Sequence, residues 1–137
     1  MIITDVNILR QRSSEVSDES VLEAVWQSLN NELDSTSGVG LSAIQINIPL
    51  RACIVKYCKV HCKLYNARIV KRSRETIIFK EGCLSIPDVW ENTRRNKYIT
   101  VRNGDNKLYR FSDILAVIVQ HELDHWDGIL FTDRGTK

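Results

Sequence analysis

The strongest constraint on the fold is a helix that the sequence predicts from Ser112 to about Asp127. Ser112 is a favoured N-cap residue, and Gly128 suits the left-handed conformation that commonly ends a helix. The first half of this helix contains six consecutive apolar residues, from Ile114 to Val119. A helix that is apolar on every side has to be buried. We therefore expect the rest of the chain to pack around it.

The second half of the same helix carries the sequence HELDH at positions 121–125. Histidines at positions i and i+4 lie one above the other on one helix face, so their ring nitrogens can bind one metal ion. Glu122 follows the first histidine and can reach a water molecule on that metal. Burying these polar groups beside an apolar run is costly unless they are paired or ligated. The pattern predicts a metal site formed by His121 and His125.

A catalytic zinc-type site has three protein ligands and one open position. No histidine or glutamate follows His125, so the third ligand lies upstream or is an aspartate such as Asp133. Cys83 is the preferred candidate, because Gly82 before it allows the backbone to approach a metal closely. A rival cluster could hold a structural zinc, but its spacing is C-x3-C rather than the C-x2-C of zinc knuckles, and we expect its cysteines to be small core residues. Its members are Cys53, Cys58, His61 and Cys62.

The remaining chain predicts an α+β domain, with mixed or antiparallel strands packed around the central C-terminal helix. An extended arm over residues 1–17, anchored by Leu9-Arg10 and Val16, precedes a helix that Asp18 or Ser17 caps and that runs to about Leu33. Asn103-Gly104 predicts a two-residue hairpin turn. The predicted strands are Ala52–Tyr57, Cys62–Asn66, Thr76–Phe79, Tyr98–Val101 and Leu108–Phe111.

Composition excludes several classes of protein. The chain has 137 residues, 43% of them hydrophobic, with 19 basic and 17 acidic side chains. That content supports one folded domain, rules out disorder as the main state, and gives a net charge of +2 that is too weak to indicate nucleic-acid binding. The longest apolar run is far shorter than the roughly 20 residues that a membrane span requires. The first residues lack the apolar region of a signal peptide, so we expect a reducing cytoplasmic location and free thiols.

A glycine-containing loop, GVGLSAIQ at positions 38–45, follows the first predicted helix. It lacks the Gly-Lys-Ser/Thr of a phosphate loop and the third glycine of a dinucleotide-binding fingerprint. Its glycines can offer bare backbone to a peptide, and the Gln45 amide can donate a hydrogen bond to a developing oxyanion.

Three motifs occur in order along the chain: GVGLSAIQ at 38–45, EGCLS at 81–85 and QHELDH at 120–125. Together they resemble the signature motifs of peptide deformylases, GxGLAAxQ, EGCLS and QHExDH. The resemblance extends over nearly the whole chain, from Leu9-Arg10 to Leu130-Phe131. Ser42 replaces the usual alanine, Ala67 replaces a common proline, and the loop around Lys59 is short. The sequence stops at Lys137 without the C-terminal helix of longer bacterial members, as in the short deformylases of some bacterial viruses.

The resemblance implies a single catalytic domain over residues 1–137 that removes the N-terminal formyl group from formyl-methionyl nascent peptides and releases formate. It implies one divalent metal ion held by Cys83, His121 and His125, with iron(II) in cells and zinc, nickel or cobalt as purified. Glu122 would transfer protons, while the Gln45 side chain and the Leu84 backbone N–H would bind the oxyanion. We expect Glu81 to pair with Arg95, and Asp124 not to be a ligand. Apolar residues near the motifs are candidates for the methionine pocket, with Gly40 alongside: Val39, Leu84, Ile114, Val117 and Ile118.

Two alternatives stay open at this stage: a zinc protease that uses HExxH alone, and a binding module that keeps the fold without activity. Residues 51–80 contain nine basic side chains and one acid, Glu75. This basic segment is either a solvated surface or a weak ribosome contact. We expect a monomer that binds neither DNA nor membrane.

Overall fold

The computed structural model describes residues 1–136; Lys137, which the predicted domain includes, lies outside the described residues. Its helices are α1 (Val6–Leu9), α2 (Leu22–Asp34) and α3 (Asp113–Trp126), and 3-10 turns occur at Glu19–Val21, Ala43–Ile46 and Phe131–Arg134. The strands are β1 (Gly40–Ser42), β2 (Ala52–Tyr57), β3 (Val60–Tyr65), β4 (Arg68–Arg72), β5 (Thr76–Cys83), β6 (Ile86–Asn96), β7 (Tyr98–Arg102) and β8 (Leu108–Ser112).

The strands form three antiparallel groups, in the orders β1-β2-β3, β4-β7-β8 and β5-β6. Helix α3 packs into a central core with β2, β3, β7 and β8, where Val119 and Trp126 meet Val55 and Val101. A second core lies between α2 and strands β1 and β2, around Leu29. The predicted α+β class, with antiparallel strands around the C-terminal helix, is confirmed.

The N-terminal part shows how local signals set the helix ends. The Asp18 carboxylate accepts a hydrogen bond from the Ser20 N–H, so Asp18 caps the 3-10 turn that leads into α2. Leu9 is fully buried and Val16 nearly so, as the anchor prediction requires. The fully extended arm is wrong, because Asp5 caps the short helix α1 by accepting from the Asn7 N–H.

The strand predictions are right for β2, β3, β5, β7 and β8, with small differences at the ends of all but β2. Strand β2 has the predicted bounds, and four of its six residues are buried. The three-residue strand β1 was missed, because its residues were interpreted as part of the glycine-containing loop. Strands β4 and β6 were missed, because their sequences RIVKR and IPDVWENTRRN are largely exposed and lack apolar alternation. These strands are stabilised by backbone pairing with β7 and β5 rather than by a buried side-chain stripe.

The predicted two-residue turn at Asn103-Gly104 is wrong. Arg102 pairs with Leu108, so the connection between β7 and β8 has five residues, and its left-handed residue is Asn106, not Gly104. The Asn103 side-chain carbonyl instead accepts a hydrogen bond from the Tyr65 N–H at 2.9 Å, which ties the turn to β3. A long-range contact therefore overrides the local hairpin preference.

Within residues 1–136, none of the helices combines the length and the apolar character needed to cross a bilayer.

Candidate metal centre and active site

The structure brings Cys83, His121 and His125 together, and their ligand atoms all lie within 4.8 Å of one another. Cys83 ends β5, while the two histidines lie one turn apart on α3. The Cys83 Sγ is 3.5 Å from the His125 Nε2. Thiolate and imidazole donors in a set of three suit iron(II), zinc, cobalt or nickel, so the residues present fit a divalent transition metal.

The rival ligands lie elsewhere. Cys53 and Cys62 are buried in the central core, and Cys58 is exposed at the turn between β2 and β3. Asp133 pairs with Arg10 and accepts from the Leu130 N–H. Among the described residues, no second group of three possible metal ligands occurs.

A carboxylate orients the first histidine. The His121 Nδ1 lies 2.8 Å from the Glu81 Oε1, and both side chains are buried. Because an ionised carboxylate only accepts hydrogen bonds, Nδ1 carries the hydrogen and the lone pair of Nε2 is free for a metal.

Glu81 is held in turn by Arg95, as the sequence predicted. The Arg95 Nε and Nη2 donate to the two Glu81 oxygens at 2.8 and 3.0 Å, and the Thr93 hydroxyl also donates to Glu81. Burial would raise the pKa of Glu81, but the hydrogen bonds from His121 and Arg95 outweigh it and lower the pKa to about 2. Glu81 is therefore ionised near neutral pH.

The network continues to Asp124, which does not belong to the group of possible metal ligands. Its Oδ2 accepts from the Arg95 Nη1 at 2.6 Å, and its carboxylate also accepts from Arg134 at 3.0 and 3.1 Å. Arg95 thus bridges two carboxylates on different elements, and only about 4% of its side chain is exposed.

We expect Arg95→Met to lower the free energy of unfolding by about 3 kcal/mol or more, because it leaves two partly or fully buried carboxylates without their cation. The adjacent exposed Arg94, which donates to the Thr76 hydroxyl, provides a matched control, and Arg94→Met should change that free energy by about 0.5 kcal/mol or less. Denaturant unfolding of both variants measures the difference. Equal effects would contradict the bridging role.

Glu122 faces the cleft beside the metal ligands. A Cβ added at Gly40 would lie only 2.6 Å from the Glu122 Oε2, so the glycine leaves room for this carboxylate. The Ser42 hydroxyl donates to the Glu122 backbone carbonyl at 2.8 Å and lies 3.2 Å from its Oε1. Burial raises the pKa of Glu122 to about 7, although His121 and the Ser42 hydroxyl oppose the rise.

The amide nitrogen of Gln45 points toward the Cys83 thiol in the same cleft. Its Oε1 accepts from the Ser42 N–H at 2.9 Å, which fixes the orientation of the amide. Its Nε2 donates to the Ser85 hydroxyl at 3.0 Å and lies 3.5 Å from the Cys83 Sγ. The amide therefore turns its N–H groups, not its carbonyl, towards the Cys83 thiol.

A cleft of about 560 Å³ opens over these groups. Val39, Gly40, Leu84, Val117 and Ile118 line it, together with His121 and Glu122. Ile114 was predicted to line it and does not, because it lies one turn earlier on α3 and packs against the central core.

Sequence analysis missed the part of the cleft that comes from the β5–β6 hairpin. Phe79, Ile86, Pro87 and Val89 line it, and Trp90 covers Gly82 so closely that a Cβ there would lie 2.5 Å from the indole. The available signal was the apolar pair Val89-Trp90, which lies a few residues after the EGCLS motif.

Comparisons with a family model, with curated proteins and with solved structures all match peptide deformylases. The family model described as Polypeptide deformylase matches residues 1–137. A peptide deformylase from Pseudothermotoga lettingae is 37% identical, over 92% of this chain and 76% of its own length. One from Heliobacterium modesticaldum is 38% identical, over 93% of this chain and 87% of its own. The crystal structure of a probable peptide deformylase from Synechococcus phage S-SSM7 superposes with a TM-score of 0.87 at 34% identity, covering 98% of both chains.

Proposed function

The chain belongs to the peptide deformylase family, and from this premise we propose which of its residues perform the reaction. It is a metal-dependent hydrolase that removes the N-terminal formyl group from formyl-methionyl peptides and releases formate. The observation that supports our assignment is the convergence of one thiol and two imidazoles on a point beside Glu122 and Gln45.

We assign Cys83, His121 and His125 as the metal ligands, with iron(II) as the metal in cells and zinc, nickel or cobalt as substitutes. Such a metal would lower the pKa of water far below its value in bulk, toward about 7, so that hydroxide is available at neutral pH. Glu81 holds His121 in the tautomer that leaves Nε2 free, and Arg95 keeps Glu81 ionised.

Glu122 is the proton-transfer group. Its carboxylate accepts a proton from the attacking water and later delivers one to the amine that leaves. The geometry supports this role, because Glu122 lines the cleft beside His121 while its own side chain contacts Ser42.

The developing oxyanion is bound by the Gln45 Nε2 and by the backbone N–H of Leu84, which directly follows the thiol. The Gln45 amide is fixed by the Ser42 N–H before substrate arrives, so little reorganisation is needed when charge develops. The methionine side chain occupies the apolar part of the cleft formed by Val39, Val117 and Ile118.

We further propose that residues 1–137 form a single catalytic domain that acts as a monomer in the bacterial cytoplasm on nascent peptides. Its basic segment between residues 51 and 80 contributes to a weak contact with the ribosome. Neither DNA nor a membrane is a partner in this proposal.

A formate-release assay tests the function. The protein is reconstituted with iron(II), nickel or zinc under exclusion of oxygen and given formyl-Met-Ala-Ser, with acetyl-Met-Ala-Ser as the matched control. We expect formate from the first peptide, little hydrolysis of the second, and an iron form at least as active as the zinc form. Cleavage of internal peptide bonds without formate would indicate the zinc protease instead. Absence of hydrolysis with every metal would indicate a binding module.

A further inference from the structure

A second concave surface lies on a different face of α3 from the active-site cleft. This groove has a volume of about 750 Å³. Helix α3 contributes Gln120, Leu123, Asp124 and Trp126 to it, whereas it contributes Val117, Ile118, His121 and Glu122 to the cleft. The helix therefore separates the two surfaces, and a ligand in the groove would not block the cleft.

The groove is lined by an unusually large share of the chain's arginines. Seven of the chain's eleven arginines line it, and none of the chain's eight lysines is among the described residues that do so. Three carboxylates also line it, those of Glu15, Asp124 and Asp127, so its lining carries a formal excess of four positive charges. The whole chain carries only +2. Among the described residues, the positive charge of this lining therefore comes from arginine alone.

Three of the groove's arginines are already paired. Arg51 binds Asp127, and Arg95 and Arg134 share Asp124. The other four come from strands β4, β6 and β7, and none of them has a carboxylate within 4.0 Å among residues 1–136. These four, which we call the free arginines, are Arg68, Arg72, Arg94 and Arg102.

Two of the free arginines face each other across the sheet. Arg68 of β4 pairs directly with Arg102 of β7 in the antiparallel register. Like charges in such a pair are destabilising. The arrangement becomes favourable when an anion lies between the two guanidinium groups.

Arginine is the side chain best suited to phosphate, because its planar fork donates two parallel hydrogen bonds to adjacent oxygens. Several guanidinium forks without a carboxylate partner along one groove fit a ligand that repeats its phosphates, rather than a single small anion. We propose that this groove binds the phosphate backbone of an RNA duplex. The choice of RNA as the polyphosphate rests on the proposed function, because a formylated nascent peptide emerges from a ribosome.

The test measures binding of the metal-loaded protein to a fluorescein-labelled RNA duplex of about 16 base pairs, the length that double-stranded RNA domains span. Fluorescence anisotropy is followed between about 50 and 200 mM salt. We expect R68Q/R102Q to weaken binding at least about tenfold and to reduce the slope of log affinity against log salt by about 2, one for each lost phosphate contact.

The matched control is K59Q/K63Q, which removes two positive charges from exposed side chains of the β2–β3 hairpin outside the groove. It should change affinity about twofold or less, because it removes only long-range attraction. Thermal melting without RNA serves as a folding check, and R68Q/R102Q should not melt at a lower temperature, since it removes like charges that lie opposite each other. A second groove variant, R72Q/R94Q, should also weaken binding.

Equal loss of affinity in the groove and control variants would overturn the proposal, as would no binding of RNA at the lowest salt. Tighter binding to a DNA duplex of the same sequence, or to vesicles containing phosphatidylglycerol, would also overturn it. Formate release from the free peptide should be the same in all of these variants. RNA binding through the groove without any formate release would contradict the proposed function and leave the groove assignment standing.

Discussion

Glu122→Gln is expected to keep its bound metal and to release formate at least about 10³-fold more slowly than the unaltered protein. The amide has nearly the same shape as the carboxylate and can still contact the Ser42 hydroxyl. It cannot accept the proton of the attacking water at neutral pH, so the proton-transfer step is lost while the site keeps its structure.

Two measurements on the same preparation separate these effects: metal content, and formate release from formyl-Met-Ala-Ser. Glu23→Gln provides the matched control, because Glu23 is an exposed glutamate on α2, far from the cleft. It should match the unaltered protein in both measurements. Near-normal turnover of Glu122→Gln would rule out its role as the proton-transfer group.

Cys83→Ala is expected to bind metal more than about 100-fold more weakly, since loss of a group that only supports a ligand typically costs 10–100-fold. The variant removes one of the three donors that meet at the site. Turnover should fall with the metal content, and adding excess zinc or nickel should restore only part of it.

Cys58→Ala is the matched control, because this exposed thiol lies at the turn between β2 and β3, away from the ligand group. Metal bound per folded molecule is compared by elemental analysis after dialysis. Ala substitutions at Cys53 and Cys62 should lower stability but retain metal, because both side chains fill the central core. Full metal in Cys83→Ala together with loss in a Cys58 or Cys62 variant would refute the ligand assignment.

The ionisation of Glu81 makes the stability of the protein depend on pH. Because hydrogen bonds lower the folded-state pKa of Glu81 to about 2, its contribution to stability is present above its ordinary pKa in the unfolded chain. That contribution is lost as the pH falls toward about 2. The Arg95→Met variant removes the main cation that keeps Glu81 ionised, which is why its expected cost in stability is large.

The sequence by itself determined the features that lie within one element. Spacing of i and i+4 places His121 and His125 on one face of a helix whatever the rest of the chain does. The apolar stripe of α2 and the Asp18 cap of the 3-10 turn before it are equally local, as are the bounds of β2 and the left-handed Gly128 after α3. The three motifs also indicated the family, because their residues match the family's signature motifs and they occur in the same order along the chain.

Only the tertiary structure decided which elements meet. Strand β6 pairs with β5 through backbone groups that every residue except proline possesses in full. This pairing does not require apolar alternation, so the sequence of β6 carries no signal for a strand. The connection at Asn103 is longer than the predicted two-residue turn, and the Asn103 side chain accepts a hydrogen bond from the Tyr65 N–H on another strand. Ile114 is apolar and close to the motif, but one helical turn moves it from the cleft into the core.

The arginine groove shows the same distinction most clearly. The sequence shows basic residues concentrated between 51 and 80, yet the groove takes only Arg51, Arg68 and Arg72 from that range and adds four arginines from positions 94–134. Helical and strand periodicities fix the direction of side chains within an element, because they follow from local backbone geometry. Distances between elements depend on packing of the whole core, so the pairing of Arg68 with Arg102 and the contact of Glu81 with His121 are determined only when the chain has folded.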